Sequence, residues 1–241
     1  MKAIIFSAGL GTRLKPWTDK HPKALALVNG KSLLQRNIVY LQNFGIDDVI
    51  VNVHHFSEQI IEAVEQNNGW GSRVHISDES NAVLETGGGL LYAKNLFTKG
   101  ESFLSCNVDI LSTINLHDLM AYHQKNKSCI TVSVTQRKTS RYLLFNDDNQ
   151  LAGWRNTDTG KERIILPQKS LTEKAYSCYA VFDYSVFDLM EQYHFAGKFS
   201  LIDVYLQLTA TQKILGFDHS GDTLIDVGKP ENLAIAAAAF P

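Results

Sequence analysis

Residues 2–13, KAIIFSAGLGTR, decide how the chain is read. The run from Lys2 to Phe6 is short and almost wholly apolar, as expected of a strand buried on both faces of a parallel sheet. A loop with Gly9, Gly11 and Arg13 follows at once, and Lys23 comes ten residues after that arginine. Backbone N–H groups in such a loop can hold phosphate oxygens, while a planar arginine and a point-charge lysine neutralise the remaining charge. The loop is not a P-loop, because no Gly-Lys-Ser/Thr follows at the required spacing. It also fails the dinucleotide fingerprint, since Leu14 stands where the third glycine belongs, and a dehydrogenase reading falls with it. A bare Gly-x-Gly would be only a tight turn. With Arg13, Lys23 and the bracketing Pro16 and Pro22, it reads as a phosphate site.

Working outward, strand and helix signals alternate through the first half of the chain. Residues 48–53 read as a second buried strand, after an amphipathic run over 33–44. Residues 57–66 read as a helix, 73–78 as a strand, the run opening at Gly87 as a helix, 102–108 as a strand and 116–126 as a helix. This order predicts an α/β fold, a Rossmann-like, doubly wound and mostly parallel sheet, with ligands outside the carboxyl ends of its strands. From residue 129 the pattern turns to strands: 129–136, a hairpin around Asn146-Asp147-Asp148-Asn149, and 176–182. We expect one domain over 1–241, with a phosphate-binding core over 1–115 and a smaller inserted β-rich lobe over 129–200. A closing segment over 201–241 carries the strand-like DTLIDVG and a last helix that Pro230 can start.

The bulk numbers fit a globular α/β chain. Of 241 residues, 44% are hydrophobic and 20% charged, which is ordinary for a globular domain. Lys plus Arg total 23 against 25 for Asp plus Glu, so the formal charge of −2 gives no reason to expect a nucleic-acid partner. No apolar run reaches membrane-spanning length and the N-terminus lacks a signal pattern, so no membrane partner and a cytosolic location are expected. Cys106, Cys129 and Cys178 are widely spaced and unpaired in sequence, and are read as small core residues.

Two further segments carry chemistry. LSCNVD places Asn107 and Asp109 two apart on extended chain, on one side of it, and LIDVG ends an apolar run at Asp226. One such aspartate is as well explained by a turn cap. Two of them beside a phosphate loop point instead to Mg²⁺, which takes one or two carboxylates with phosphates and waters filling its octahedron. The adjacent His54 and His55 diverge on extended chain and are read as turn residues.

The run G-x-G-T-R-L-x-P-x-T, then P-K-A-L, then G-K and a Leu pair, resembles the signature of sugar-1-phosphate nucleotidylyltransferases. NVD and DVGKPENL resemble that family's two metal-aspartate segments, and the likeness extends to the last helix. Ser32 departs from the pattern by standing where the family usually has proline, a change that touches helix entry. LETGGG, residues 84–89, resembles the N-acetylmuramate 1-phosphate uridylyltransferase branch, used in cell-wall sugar recycling; mannose- and heptose-1-phosphate guanylyltransferases are the nearest alternatives.

The resemblance implies attack by a sugar 1-phosphate oxygen on the α-phosphorus of a nucleoside triphosphate, with loss of pyrophosphate. The nucleophile is already anionic, so no general base is required, and no Ser-His-Asp set stands out in the sequence. Arg13 would take the β- and γ-phosphates, Lys23 would bridge the two reacting phosphates, and Asp109 and Asp226 would hold Mg²⁺. Ala8, Gly9, Gly11 and Thr12 would cradle the nucleotide. Glu85 and the Gly88 backbone would read the base, the carboxylate suiting an N–H of uracil or guanine; glycines 87–89 can equally be a closely packed helix start. Asn107 would meet a sugar or ribose hydroxyl. In the inserted lobe Arg141, Arg155, Lys161 and Arg163 offer charge for a lactyl carboxylate, and Trp154 and Ser177 are candidate sugar contacts. A catalytically silent sugar-nucleotide sensor of the same fold is the reading from another class, and four charged residues kept together weigh against it.

Overall fold

From the N-terminus, β1 (Ala3–Phe6) leads through the glycine loop to a two-residue pair, β2 (Leu27–Val28) and β3 (Lys31–Ser32), and then α1 (Leu33–Gln42). The computed structural model describes residues 1–81 and 83–241. Next come β4 (Asp48–Val53), α2 (Ser57–Gln66), β5 (Arg73–Asp78), α3 (Glu85–Tyr92), β6 (Phe103–Asn107), β7 (Ile110–Ser112) and α4 (Leu116–Asn126). The β-rich stretch holds β8 (Ile130–Thr135), β9 (Arg141–Phe145), β10 (Leu151–Asn156), β11 (Lys161–Ile164) and β12 (Thr172–Phe182). The chain continues with α5 (Val186–Gln192), α6 (Leu201–Leu208), β13 (Ile214–Asp218), β14 (Leu224–Asp226) and α7 (Glu231–Ala239).

A ten-stranded sheet runs in the order β11-β10-β9-β12-β6-β1-β4-β5, with β8 paired to β12 and carrying β13. Strands β6, β1, β4 and β5 are parallel neighbours. The sheet is doubly wound because alternate residues of β1 serve different cores. Ala3 and Ile5 pack with α1, α2, α4 and α7, whereas Ile4 and Phe6 pack with α3, α5 and α6. On α1, Leu33, Leu34, Ile38 and Leu41 are all fully buried, each contributing roughly 1.5–3 kcal/mol of hydrophobic stabilisation. Ser32, the residue that departs from the family pattern, is the N-cap of that helix: its Oγ accepts the Gln35 N–H at 3.1 Å. The β-rich stretch is built onto the same sheet, since β12 pairs with β9 over its first residues and antiparallel to β6 over its last.

The sheet places the chemistry. Phe6, the last residue of β1, is in register with Asn52 on one side and Asn107 on the other. The glycine loop therefore leaves the sheet between the ends of β4 and β6, beside Asp109.

Buried His123 on α4 has its Nδ1 3.0 Å from Thr131 Oγ1, and burial lowers its pKa to about 4, partly opposed by Asp183. Its folded pKa lies below the ordinary 6.5, so the unfolded chain takes the proton first. Stability from this group is complete above pH 6.5 and is lost as pH falls toward 4, by up to about 1.4 kcal/mol per pH unit. Thermal unfolding of wild type and His123→Gln across pH 4–7 should show a shallower acid decline in the variant. Parallel curves would remove His123 as a cause.

Candidate active site

The loop after β1 turns at Gly11, whose positive φ of 63° suits glycine; a Cβ there would also meet Thr18 and Lys23. The Gly11 carbonyl accepts the Leu14 N–H at 2.9 Å and the Thr18 hydroxyl at 2.9 Å, which locks the turn carrying Arg13. Gly9 is different. A Cβ there meets nothing within 4 Å and its φ is not positive, so the fold itself leaves that backbone open to a ligand.

Arg13, Lys23, Asp109 and Asp226 come together from four segments. Lys23 Nζ donates to Asp109 Oδ2 at 2.6 Å, and Arg13 lies 3.2 Å from Asp226 Oδ2 and 3.7 Å from Asp109 Oδ2. Two backbone features bring the aspartates together. Asp226 is in antiparallel register with Ile110, and the Val227 N–H donates to the Asp109 carbonyl at 2.8 Å. Asp226 is held further by the Gly228 N–H on its Oδ1 at 2.8 Å and by Asn232 Nδ2 on its carbonyl at 2.7 Å. A Cβ on Gly228 would fall 2.7 Å from Asp109 Oδ2 and 2.8 Å from Asp226 Oδ1, so both carboxylates converge on one small space. Among the described residues no three His, Cys, Asp or Glu form a metal cage. A magnesium ion completed by substrate phosphates needs only the two carboxylates found here, and the donor set fits it.

Two adjoining clefts open beside this cluster and share Thr86 and Asn107. The first, about 380 Å³, is lined by Ala8, Gly9, Arg13, Lys23, Glu85 and Asp109, among others. Gly11 and the exposed Thr12 stand in the same loop, outside that lining. The second, about 350 Å³, lies against the β-rich stretch and includes Arg137, Arg141, Trp154, Tyr176 and Cys178.

Several expectations from sequence are corrected. Gly88 does not face the first cleft. Its N–H and that of Gly87 both donate to the Phe199 carbonyl, and a Cβ on Gly88 would run into the Gly197 carbonyl oxygen. Gly87 and Gly88 let α3 pack closely against the segment before α6, while Gly89 leaves room for Glu79 and Asn52. Ser177 is fully buried, with its Oγ 2.8 Å from His219 Nε2, so it is not a sugar contact. Arg155 is held by Glu162 and Glu173 and Arg163 by Asp203, and Lys161 is exposed on β11; of the four cations, only Arg141 lines the second cleft. Cys178 lines that cleft too, whereas Cys106 and Cys129 are buried core residues as expected. Burial raises the Cys178 thiol to about 12, so it stays protonated.

Sequence reasoning missed Arg137, which donates to the Tyr176 carbonyl at 3.0 Å and lines the second cleft. It also missed a support beneath the first. Buried Asn52 accepts the Ser7 N–H at 2.6 Å and donates to Glu79 Oε1 at 2.9 Å. Burial raises the Glu79 pKa, against the bond from Asn52. His54 fits its expected turn role, its Nδ1 lying 2.7 Å from the Glu79 carbonyl.

A doubly wound sheet with a phosphate-type loop, two converging aspartates and two adjoining clefts defines an α/β protein suited to handling nucleotides. Residues 2–145 match the family model described as nucleotidyl transferase, and the chain belongs to that family. Among similar proteins is the N-acetylmuramate alpha-1-phosphate uridylyltransferase of Caulobacter vibrioides, 39% identical over 110 residues, 44% of this chain and 45% of that protein. The catalytic subunit beta of mannose-1-phosphate guanylyltransferase from Dictyostelium discoideum is 30% identical over 155 residues, 62% of this chain and 42% of that protein. These alignments span about half the length of the relatives or less. The crystal structure of HddC from Yersinia pseudotuberculosis, complexed with GMP-PN, superposes with a TM-score of 0.79 at 22% identity, covering 100% of this chain and 99% of that one. At that identity the likeness shows the fold.

Proposed function

We propose that this chain transfers a uridylyl group from UTP to N-acetylmuramate 1-phosphate. A phosphate oxygen of the sugar bonds to the α-phosphorus, the bond to the bridging oxygen breaks, and pyrophosphate leaves with that electron pair. The observation that carries the reading is the convergence of Arg13, Lys23, Asp109 and Asp226 beside two adjoining clefts. It supports one cleft for the triphosphate and one for the sugar, with the reacting phosphates meeting between them.

In this reading the open backbone at Gly9 receives phosphate oxygens, and Arg13 neutralises the departing pyrophosphate. Lys23, fixed by Asp109, stands between the reacting phosphates and holds them in line. Asp109 and Asp226 would hold Mg²⁺, which when bound offsets charge developing on the phosphates. Glu85 lines the first cleft, and its carboxylate suits the N3–H of uracil. Arg137 and Arg141 give the second cleft the positive charge a lactyl carboxylate would need, and Trp154 offers an apolar face to the sugar ring.

A panel of nucleoside triphosphates against sugar 1-phosphates, read by pyrophosphate release, tests this directly. UTP with N-acetylmuramate 1-phosphate should be the best pair, preferred over N-acetylglucosamine 1-phosphate about tenfold or more. GTP with mannose 1-phosphate outperforming it would make the chain a guanylyltransferase. Equal use of both amino sugars would remove the lactyl argument and leave uridylyl transfer standing.

A further inference from the structure

We infer that Ser177, His219 and Asp222 form an internal brace that sets the wall of the second cleft, with Ser177 and His219 as positioning residues for the sugar phosphate. The inference rests on the reading of that cleft as the sugar pocket.

The wall is a defect in β12. Tyr176 pairs with Val134 and Ala180 with Val132, so four steps along β12 match two along β8. Within this bulge Cys178 takes a positive φ of 63°, a conformation that is strained for a non-glycine residue and persists only where neighbours enforce it. Bulges re-aim side chains. Here Tyr176 and Cys178 line the cleft, and the Tyr176 carbonyl holds Arg137.

Between those two cleft residues, Ser177 turns the other way, into the protein. Its Oγ is 2.8 Å from His219 Nε2. His219 Nδ1 lies 3.3 Å from Asp222 Oδ2, close to the carboxylate but off the direction of a hydrogen bond. The carboxylate favours the tautomer with its proton on Nδ1, which leaves Nε2 to accept the Ser177 hydroxyl. The three residues have the composition of a hydrolase triad, yet Ser177 is fully buried and out of reach of any substrate. Their role is mechanical.

The brace is also tied to both sides of the site. The His219 N–H donates to the Val134 carbonyl at 3.0 Å, and Ser220 Oγ accepts the Gln136 N–H at 3.0 Å, next to Arg137. The same loop continues into β14, which ends at Asp226. One short segment thus fixes the bulge, the base of Arg137 and the approach to the second aspartate.

The test is steady-state kinetics on the full chain, with the sugar 1-phosphate selected by the panel and each substrate varied in turn. Ser177→Ala removes the hydroxyl with little change in volume. It should raise KM for the sugar phosphate about five- to tenfold, the scale of one buried hydrogen bond, and leave KM for the triphosphate within about twofold. His219→Leu should do the same or more, and His219→Gln, which can place an acceptor near Nε2, should recover part of the loss. Arg141→Ala serves as a pocket control. If Arg141→Ala raises KM for the sugar phosphate and Ser177→Ala does not, the brace is wrong and the pocket stands. If neither moves it, the pocket reading falls and the inference with it. Equal rises in both KM values with Ser177→Ala would mark a general structural role and overturn the inference.

Discussion

Asp109→Asn is expected to lower turnover by at least roughly 10²–10³-fold, the usual cost of removing one charge-stabilising group at a reacting phosphate, while the protein stays folded. The geometry gives this aspartate two separable duties. Its Oδ2 anchors Lys23 at 2.6 Å, and its carboxylate faces that of Asp226 across the space above Gly228. Asparagine keeps the volume and an oxygen for Lys23, and it removes the charge a divalent cation requires. If the metal duty dominates, raising Mg²⁺ should recover part of the lost activity of Asp109→Asn, because weakened binding yields to mass action. If anchoring dominates, added Mg²⁺ should do nothing and Lys23→Ala should match the loss. Wild-type turnover of Asp109→Asn with Mg²⁺ as the sole metal would exclude both duties.

Much of this was legible because it depends on local pattern. The apolar runs ending at Phe6 and Val53 alternate with amphipathic helices, and that order specifies a parallel sheet with its loops at one end. Arg13, Lys23, Asp109 and Asp226 were legible as residue types fit for phosphate and metal, the two cations in the loop after β1 and the aspartates at or just past the ends of β14 and β6. What stayed hidden depends on register across distant segments. The side on which Ser177 lies was unreadable, since the bulge with its positive φ at Cys178 is invisible along one strand and its partner His219 lies 42 positions away. The choice between two roles for Gly88 stayed open for a related reason. A glycine needed for close packing and one needed for a ligand look alike until the neighbour, here the Gly197 carbonyl, is in place. Arg137 was overlooked because it lies in the loop after β8, outside any motif. Among several cations in the β-rich stretch, only the three-dimensional pairing shows that Arg155 and Arg163 are already matched by carboxylates.

Gly228→Ala should be nearly as damaging as losing a charged residue, although glycine contributes no chemistry. A Cβ at that position would lie 2.6 Å from an Arg13 guanidinium nitrogen, 2.7 Å from Asp109 Oδ2 and 2.8 Å from Asp226 Oδ1. All three distances are shorter than van der Waals contact allows, so the methyl group must displace the side chains that the reaction needs aligned. Arg13 is half-exposed and can swing away, but Asp109 is buried and Asp226 accepts the Gly228 N–H itself, so neither carboxylate can retreat freely. A misplacement of about 1 Å at reacting groups commonly costs about 10²-fold in rate, which is the loss expected here. Because φ at Gly228 is not in the left-handed region, alanine imposes no backbone strain, so any fall in melting temperature reports the displaced side chains and should leave the protein folded. Turnover and thermal unfolding of Gly228→Ala, measured side by side, separate these effects. A folded variant with lost turnover supports the shared carboxylate space as the seat of the chemistry. Full activity would show that the two aspartates need not converge above Gly228, and would move the metal proposal to another geometry.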